Sequence, residues 1–107
     1  MTEAGDPAIE ALVASARADF SRGLVAKASA IEAMVCRAAW DDARRAAHKL
    51  RGSAGVYGFA ALGTYAAALE EILSNGGRPP NEQTQASVRA KLAELRAEAE
   101  RASQEGP

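Results

Sequence analysis

The sequence predicts an all-α protein, an antiparallel up-and-down four-helix bundle with room for a short or kinked segment in its N-terminal helix. Three observations predict it. Aromatic residues are only 5% of the chain, β-branched residues are few, and alanine, leucine, glutamate and arginine abound, a composition that favours helix over sheet. Apolar residues recur at spacings of three and four along successive stretches. Short clusters of glycine, proline and asparagine punctuate those stretches, and short connections join antiparallel neighbours.

Asp6-Pro7 opens the first helix, since aspartate caps free amides and proline suits the first helical position. Ile9, Leu12, Val13, Ala16 and Phe20 share one face, and the stripe continues through Leu24, Ala28, Ile31, Val35 and Ala38. Pro7 to about Arg37 is therefore one long helix or two nearly collinear ones, with Gly23 the natural break. Trp40 reads as a core or capping aromatic ending this segment beside a turn. Asp41 or Asp42 begins the next helix at its positive dipole end; Ala43, Ala47, Leu50, Ala54 and Tyr57 form its stripe, and it runs to about Tyr57. Phe59 to Leu73 follows, with Leu62, Tyr65, Ala66, Leu69, Ile72 and Leu73 inward, and Asn75-Gly76 predicts a left-handed stop. After the stiff connector Gly77-Arg78-Pro79-Pro80, Asn81 caps a last helix that turns Val88, Leu92, Leu95, Ala99 and Ala102 inward. Its charge run from Arg89 to Arg101 reads as a solvated face, and Ser103 to Pro107 is expected to fray.

The 107 residues fit a single domain, with a core from about residue 7 to 102. With 13 lysines and arginines against 14 acids, no global charge draws the chain to nucleic acid or to an anionic membrane. The one cysteine, Cys36, excludes an internal disulfide and reads as inert packing. Met1 to Asp6 has neither the charged nor the apolar region of a leader, and no run is long enough to span a bilayer, so a cytoplasmic protein is expected.

The functional signal is concentrated between Ala46 and Phe59, which holds the only histidine and a local density of glycine. On the helix, His48 projects opposite the apolar stripe, toward solvent. Arg44 and Arg45 stand one turn before it, Lys49 beside it and Arg51 one turn after. Gly52 and Gly55 leave the same face bare. Each glycine in a helix costs about 1 kcal/mol relative to alanine, so either the helix ends near Gly52 or another molecule must approach closely there. Other chemistries fit poorly. The glycines make neither a phosphate loop nor a dinucleotide fingerprint, His48 has no ligand-spaced neighbour for a metal, and Ser53 lies off its face.

His48-Lys49-Leu50-Arg51-Gly52-Ser53-Ala54, with Gly55 and Gly58-Phe59, resembles the signature of histidine-containing phosphotransfer (HPt) domains of bacterial multistep phosphorelays. Phe20, Trp40-Asp41 and Leu69-Glu70 extend the likeness from about Ile9 to Leu95. Lysine is commoner in the family where Arg51 stands, but the charge is kept. The resemblance implies a phosphorelay intermediate, not an enzyme, whose His48 takes a phosphoryl group from a receiver-domain aspartyl phosphate and passes it on. Arg51, Arg44, Arg45, Lys49, Gly52 and Gly55 would stabilise the phosphoryl group or dock the partner. The implied partners are a response regulator receiver domain and an upstream hybrid histidine kinase. No cofactor is expected in this chain, magnesium belonging to the receiver. The alternative is a phosphorylation-independent helical adaptor that docks or sequesters a signalling partner; a weaker one is the substrate domain of a chemotaxis-type kinase.

Overall fold

A computed structural model describes residues 6–104 and contains five helices and no strand among them. These are α1 (Pro7–Arg22), α2 (Leu24–Cys36), α3 (Trp40–Tyr57), α4 (Ala60–Asn75) and α5 (Glu82–Ser103). Of the two readings of the long first segment, the divided one holds: it breaks at Gly23, a single residue between α1 and α2, and this brings the helices to five. The expectations about a leader at Met1 to Asp6 and about fraying from Ser103 to Pro107 fall largely outside the described residues, although Ser103 itself is the last residue of α5. Among the described residues no helix is long and apolar enough to cross a membrane.

Most helix ends follow local chemistry. Asp6 Oδ1 accepts the Ala8 N–H at 2.8 Å, and Asn81 Oδ1 accepts that of Thr84 at 2.8 Å. α3 starts at Trp40, slightly earlier than its aspartates suggested, and ends on Gly58, whose φ of 81° is left-handed. Gly76 differs from expectation: its backbone is extended (φ −75°, ψ 156°), not left-handed. Glycine is there for space, because a Cβ would lie 2.9 Å from Thr84 Cγ2. Ala38, expected inward on the stripe, is exposed in the connector between α2 and α3 and adopts φ 61°. Cys36, expected as packing, is also exposed.

Four helices share the core and close a ring, α2 against α3 and α5, α4 against α3 and α5. Leu24, Ile31, Leu62, Leu69, Leu73, Val88 and Leu95 are fully buried inside it. Arg96 of α5 pairs with Glu32 of α2 at 2.7 Å, and Arg78 in the α4–α5 connector reaches Asp41 at 3.1 Å. On α5 the charge run is not uniformly solvated. Glu98 is half-buried, and hydrogen bonds from Arg101 hold its carboxyl below the ordinary carboxylate range, a support present at neutral pH and lost as acid protonates it.

α1 departs from the bundle. At its base Phe20 stacks on Tyr57 (4.9 Å between centroids) and tilts against Phe59 (5.5 Å), and the buried Ser21 hydroxyl donates to the Ala102 carbonyl at 3.1 Å. Arg17 donates to the Tyr57 carbonyl at 2.9 Å and lies over the Phe59 ring. Beyond that point α1 has no neighbours to bury against among the described residues. Ile9, Leu12 and Val13, expected in the core, are 57%, 70% and 57% exposed, and the molecule is 56 Å long but only 24 × 18 Å across.

Two backbone positions give a paired test by denaturant unfolding. Gly58→Ala meets no atom, yet forces a Cβ into the left-handed region, and is expected to cost about 1 kcal/mol. Ala38→Gly relieves the same strain and is expected to leave the midpoint unchanged or raise it.

Candidate functional site

α3 buries Ala43, Ala47, Leu50 and Ala54, which turns His48 and Arg51 to the opposite, open side. The helix continues through Gly52 and Gly55 to Tyr57, so it does not end near Gly52. An added Cβ at either glycine would meet nothing within 4 Å. The ledge beyond the imidazole is therefore open space, and neither glycine is needed for packing.

The residue that organises the site comes from α4. Glu70 Oε2 lies 2.8 Å from His48 Nδ1, and Glu70 Oε1 lies 3.1 Å from Arg51 Nε. One carboxylate thus bridges both α3 side chains. It is sheltered, its side chain 17% exposed, while that of His48 is 60% exposed. Arg51 Nη2 also lies 3.2 Å from His48 Nδ1. The two contacts make opposite demands: a guanidinium only donates, so Nδ1 would have to accept, whereas an ionised carboxylate only accepts, so Nδ1 must donate. The Glu70 contact is the shorter, and Arg51 already has its acceptor in Oε1. Nδ1 therefore carries the proton and donates to Glu70, which leaves the lone pair on Nε2, across the ring.

The remaining basic residues are less closely engaged. Arg45 pairs with Asp42 at 3.3 Å on the outer face of α3, and Arg44 is half-buried on the same helix. Lys49 lines a shallow groove between α2 and α3 with Lys27, Ala46, Leu50 and Ser53. Only Arg51, of the four cations, is held at the imidazole. A groove of about 670 Å³ between α2 and α5 beside Trp40 does not include His48. The imidazole stands on an open ledge, suited to meeting a macromolecule more than to enclosing a small one.

Sequence reasoning assigned Glu70 no role at His48. A signal was available: Glu70 is four residues after Ala66 and three before Leu73, both fully buried, which puts a carboxylate at the edge of the core. Such a carboxylate needs a partner from a neighbouring helix, and the partner is not readable from α4 alone.

The chain matches the Hpt domain family over residues 9–104, nearly its whole length, and belongs to that family. Comparisons with curated proteins and with solved structures give no match. Hpt domains are phosphotransfer intermediates of phosphorelays and work with receiver domains and histidine kinases.

Because the chain has one histidine, its ring can be observed without assignment. Long-range ¹H–¹⁵N correlation at about pH 9, above the ordinary imidazole range, is expected to show Nδ1 protonated and Nε2 bare. Glu70→Ala is expected to give a mixture of tautomers; a predominantly Nε2-protonated ring in the unsubstituted protein would contradict the assignment.

Proposed function

We propose that this chain is a phosphorelay intermediate in which His48 Nε2 is the phospho-acceptor. The observation that carries the reading is the Nδ1–H···Glu70 hydrogen bond on an exposed ring, which leaves a nucleophilic lone pair facing solvent. Nε2 forms a bond to phosphorus as the acyl-phosphate P–O bond of a receiver aspartyl phosphate breaks and the aspartate leaves as carboxylate. The imidazole gains positive charge in that step, and the Glu70 carboxylate offsets it in place, without reorganisation. Arg51 supplies positive charge beside the moving phosphoryl group. The reverse reaction with a second receiver aspartate restores His48. Arg44, Arg45 and Lys49 provide positive charge around an acidic partner pocket, and Gly52 and Gly55 let it approach. The magnesium ion of the reaction belongs to the receiver.

The remaining details follow from this reading. The whole chain, 1–107, acts as one domain, α2 to α5 form an antiparallel up-and-down bundle that presents the ledge, and the setting is the cytoplasm, downstream of a hybrid histidine kinase.

The test mixes the protein with a panel of phosphorylated receiver domains and follows label. His48→Gln is expected to fold normally and accept none; full labelling of that variant would eliminate His48. The label is expected to be acid-labile and comparatively base-stable, as a nitrogen–phosphorus bond requires. Receiver binding without any labelling of the unsubstituted protein would return the adaptor reading.

Arg51→Ala is expected to slow transfer roughly tenfold, the scale of one charge-assisted hydrogen bond, with a smaller effect on partner binding. Equal losses would make Arg51 chiefly a docking residue. At Gly52, stability and transfer are expected to separate. Gly52→Ala should stabilise the helix by about 0.5–1 kcal/mol, whereas Gly52→Glu should block transfer by bulk and by repulsion. Normal transfer by Gly52→Glu would move the docking surface elsewhere.

A further inference from the structure

The two flanks of the His48 ledge are unlike. Toward α4, Arg51 is held by Glu70, and α4 itself carries two glutamates and no cation. Toward α2, Lys27 and Lys49 line a groove of about 280 Å³ floored by Ile31 and Leu50, and no carboxylate lines it. Neither lysine has an ion-pair partner among the described residues. An acidic surface laid over His48 is therefore drawn toward α2.

The two ends of the ledge differ as well. In the first turns of α3, Asp41 and Asp42 face acidic partners with like charge and engage Arg78 and Arg45, at 3.1 and 3.3 Å. Past His48 the surface is bare at Gly52 and Gly55 and then meets Val56, which is 78% exposed. Every other exposed residue of α3 is charged, a glycine or His48 itself. Val56 follows His48 by eight residues, which puts it about 12 Å along the helix and about 80° around it, on the flank that Lys49 occupies. Lys27 reaches the same corner from α2. Its Nζ lies 5.6 Å from the centroid of Phe20, and Phe20 stacks on Tyr57, the neighbour of Val56.

Resting on the reading of His48 as acceptor, we propose that Val56 and Lys27 are docking residues for the receiver domain. Val56 takes an apolar side chain of the receiver about 12 Å from its phosphorylated aspartate, and Lys27 takes an acidic one beside it. The ledge itself sets this footprint. A receiver that brings its aspartate to Nε2 across the bare Gly52 has Val56 as the next α3 side chain on that flank. Burying an isopropyl group already in water's reach strengthens the complex, and a lysine with no carboxylate of its own is free to pair. Neither residue touches the reacting atoms, so both act on docking and not on the transfer step.

Single-turnover transfer to the full chain from a phosphorylated receiver domain, followed over a range of receiver concentration, separates docking from chemistry. Val56→Thr keeps the branched shape at an exposed helix position and replaces a methyl by a hydroxyl. It is expected to raise the half-saturating receiver concentration about fivefold and to hold the rate at saturation within about twofold. Lys27→Glu is expected to raise half-saturation about tenfold, an effect that shrinks as added salt screens it, while Lys27→Arg recovers most of the loss. Arg89→Glu makes the same charge change on α5, across the ring from α3, and is expected to leave half-saturation as it is. Unchanged half-saturation in Val56→Thr or in Lys27→Glu would overturn the assignment of that residue, as would a loss seen only in the rate at saturation. An Arg89→Glu variant weakened as much as Lys27→Glu would overturn the role of Lys27 by reducing it to net charge. A parent that binds receivers but takes label from none would overturn the acceptor reading, and this proposal with it.

Discussion

The close approach of α3 to α4 is the constraint on which the site depends. The facing residues are small: Ala43, Ala47 and Ala54 on α3 are fully buried, as is Ala66 on α4, and Gly63 adds no side chain at all. A Cβ on Gly63 would stand only 3.6 Å from the Ala54 Cβ and 3.9 Å from the Arg51 carbonyl. Small side chains at the contact let the two backbones approach closely. Such an approach lets a side chain as short as glutamate bridge from one helix to two residues on the other. Leucine in place of the alanines would bury more apolar area and push Glu70 out of reach of His48.

The ends of the bundle hold that register. At one end the left-handed Gly58 reverses the chain, so that Phe59 turns inward against Phe20 while the Phe59 N–H returns to the Ala54 carbonyl at 2.9 Å. At the other, Arg78 ties the α4–α5 connector to Asp41 in the first turn of α3 and donates to the Gly76 and Gly77 carbonyls. α3 is therefore fixed at both termini and along its inner face, and its outer face is left for His48. Two glycines weaken the intrinsic helicity of that outer face, and tertiary packing supplies what propensity does not.

Features with a local cause were legible in the sequence. The stripes on α3, α4 and α5, the caps at Asp6 and Asn81, and the outward direction of His48 all follow from spacing and from one side chain acting on its neighbours. What needed a second element was not. The stripe through Ile9, Leu12 and Val13 has the same periodicity as a core face, and periodicity does not reveal that the neighbouring helices end at Tyr57 and Ser103. Ala38 carries no turn signal, although its φ is positive. At Gly76 the signal was present but its cause was a tight contact with Thr84, a residue of the next helix. The bond from Glu70 to His48 spans 22 residues, and the likeness of Leu69-Glu70 to a family pattern marked the position without showing what it does.

The bareness of Gly52 and Gly55 has a consequence for recognition. At Gly52 and Gly55 α3 presents bare main chain, which on the proposed reading any receiver domain would meet in the same form whatever its own surface sequence. On the proposed reading this strip is permissive, and discrimination between cognate and non-cognate regulators falls to the margins, where Arg45 and Lys49 carry long charged side chains. Insulation of one signalling pathway from another can then change by substitution at those margins, while the acceptor and its carboxylate stay as they are.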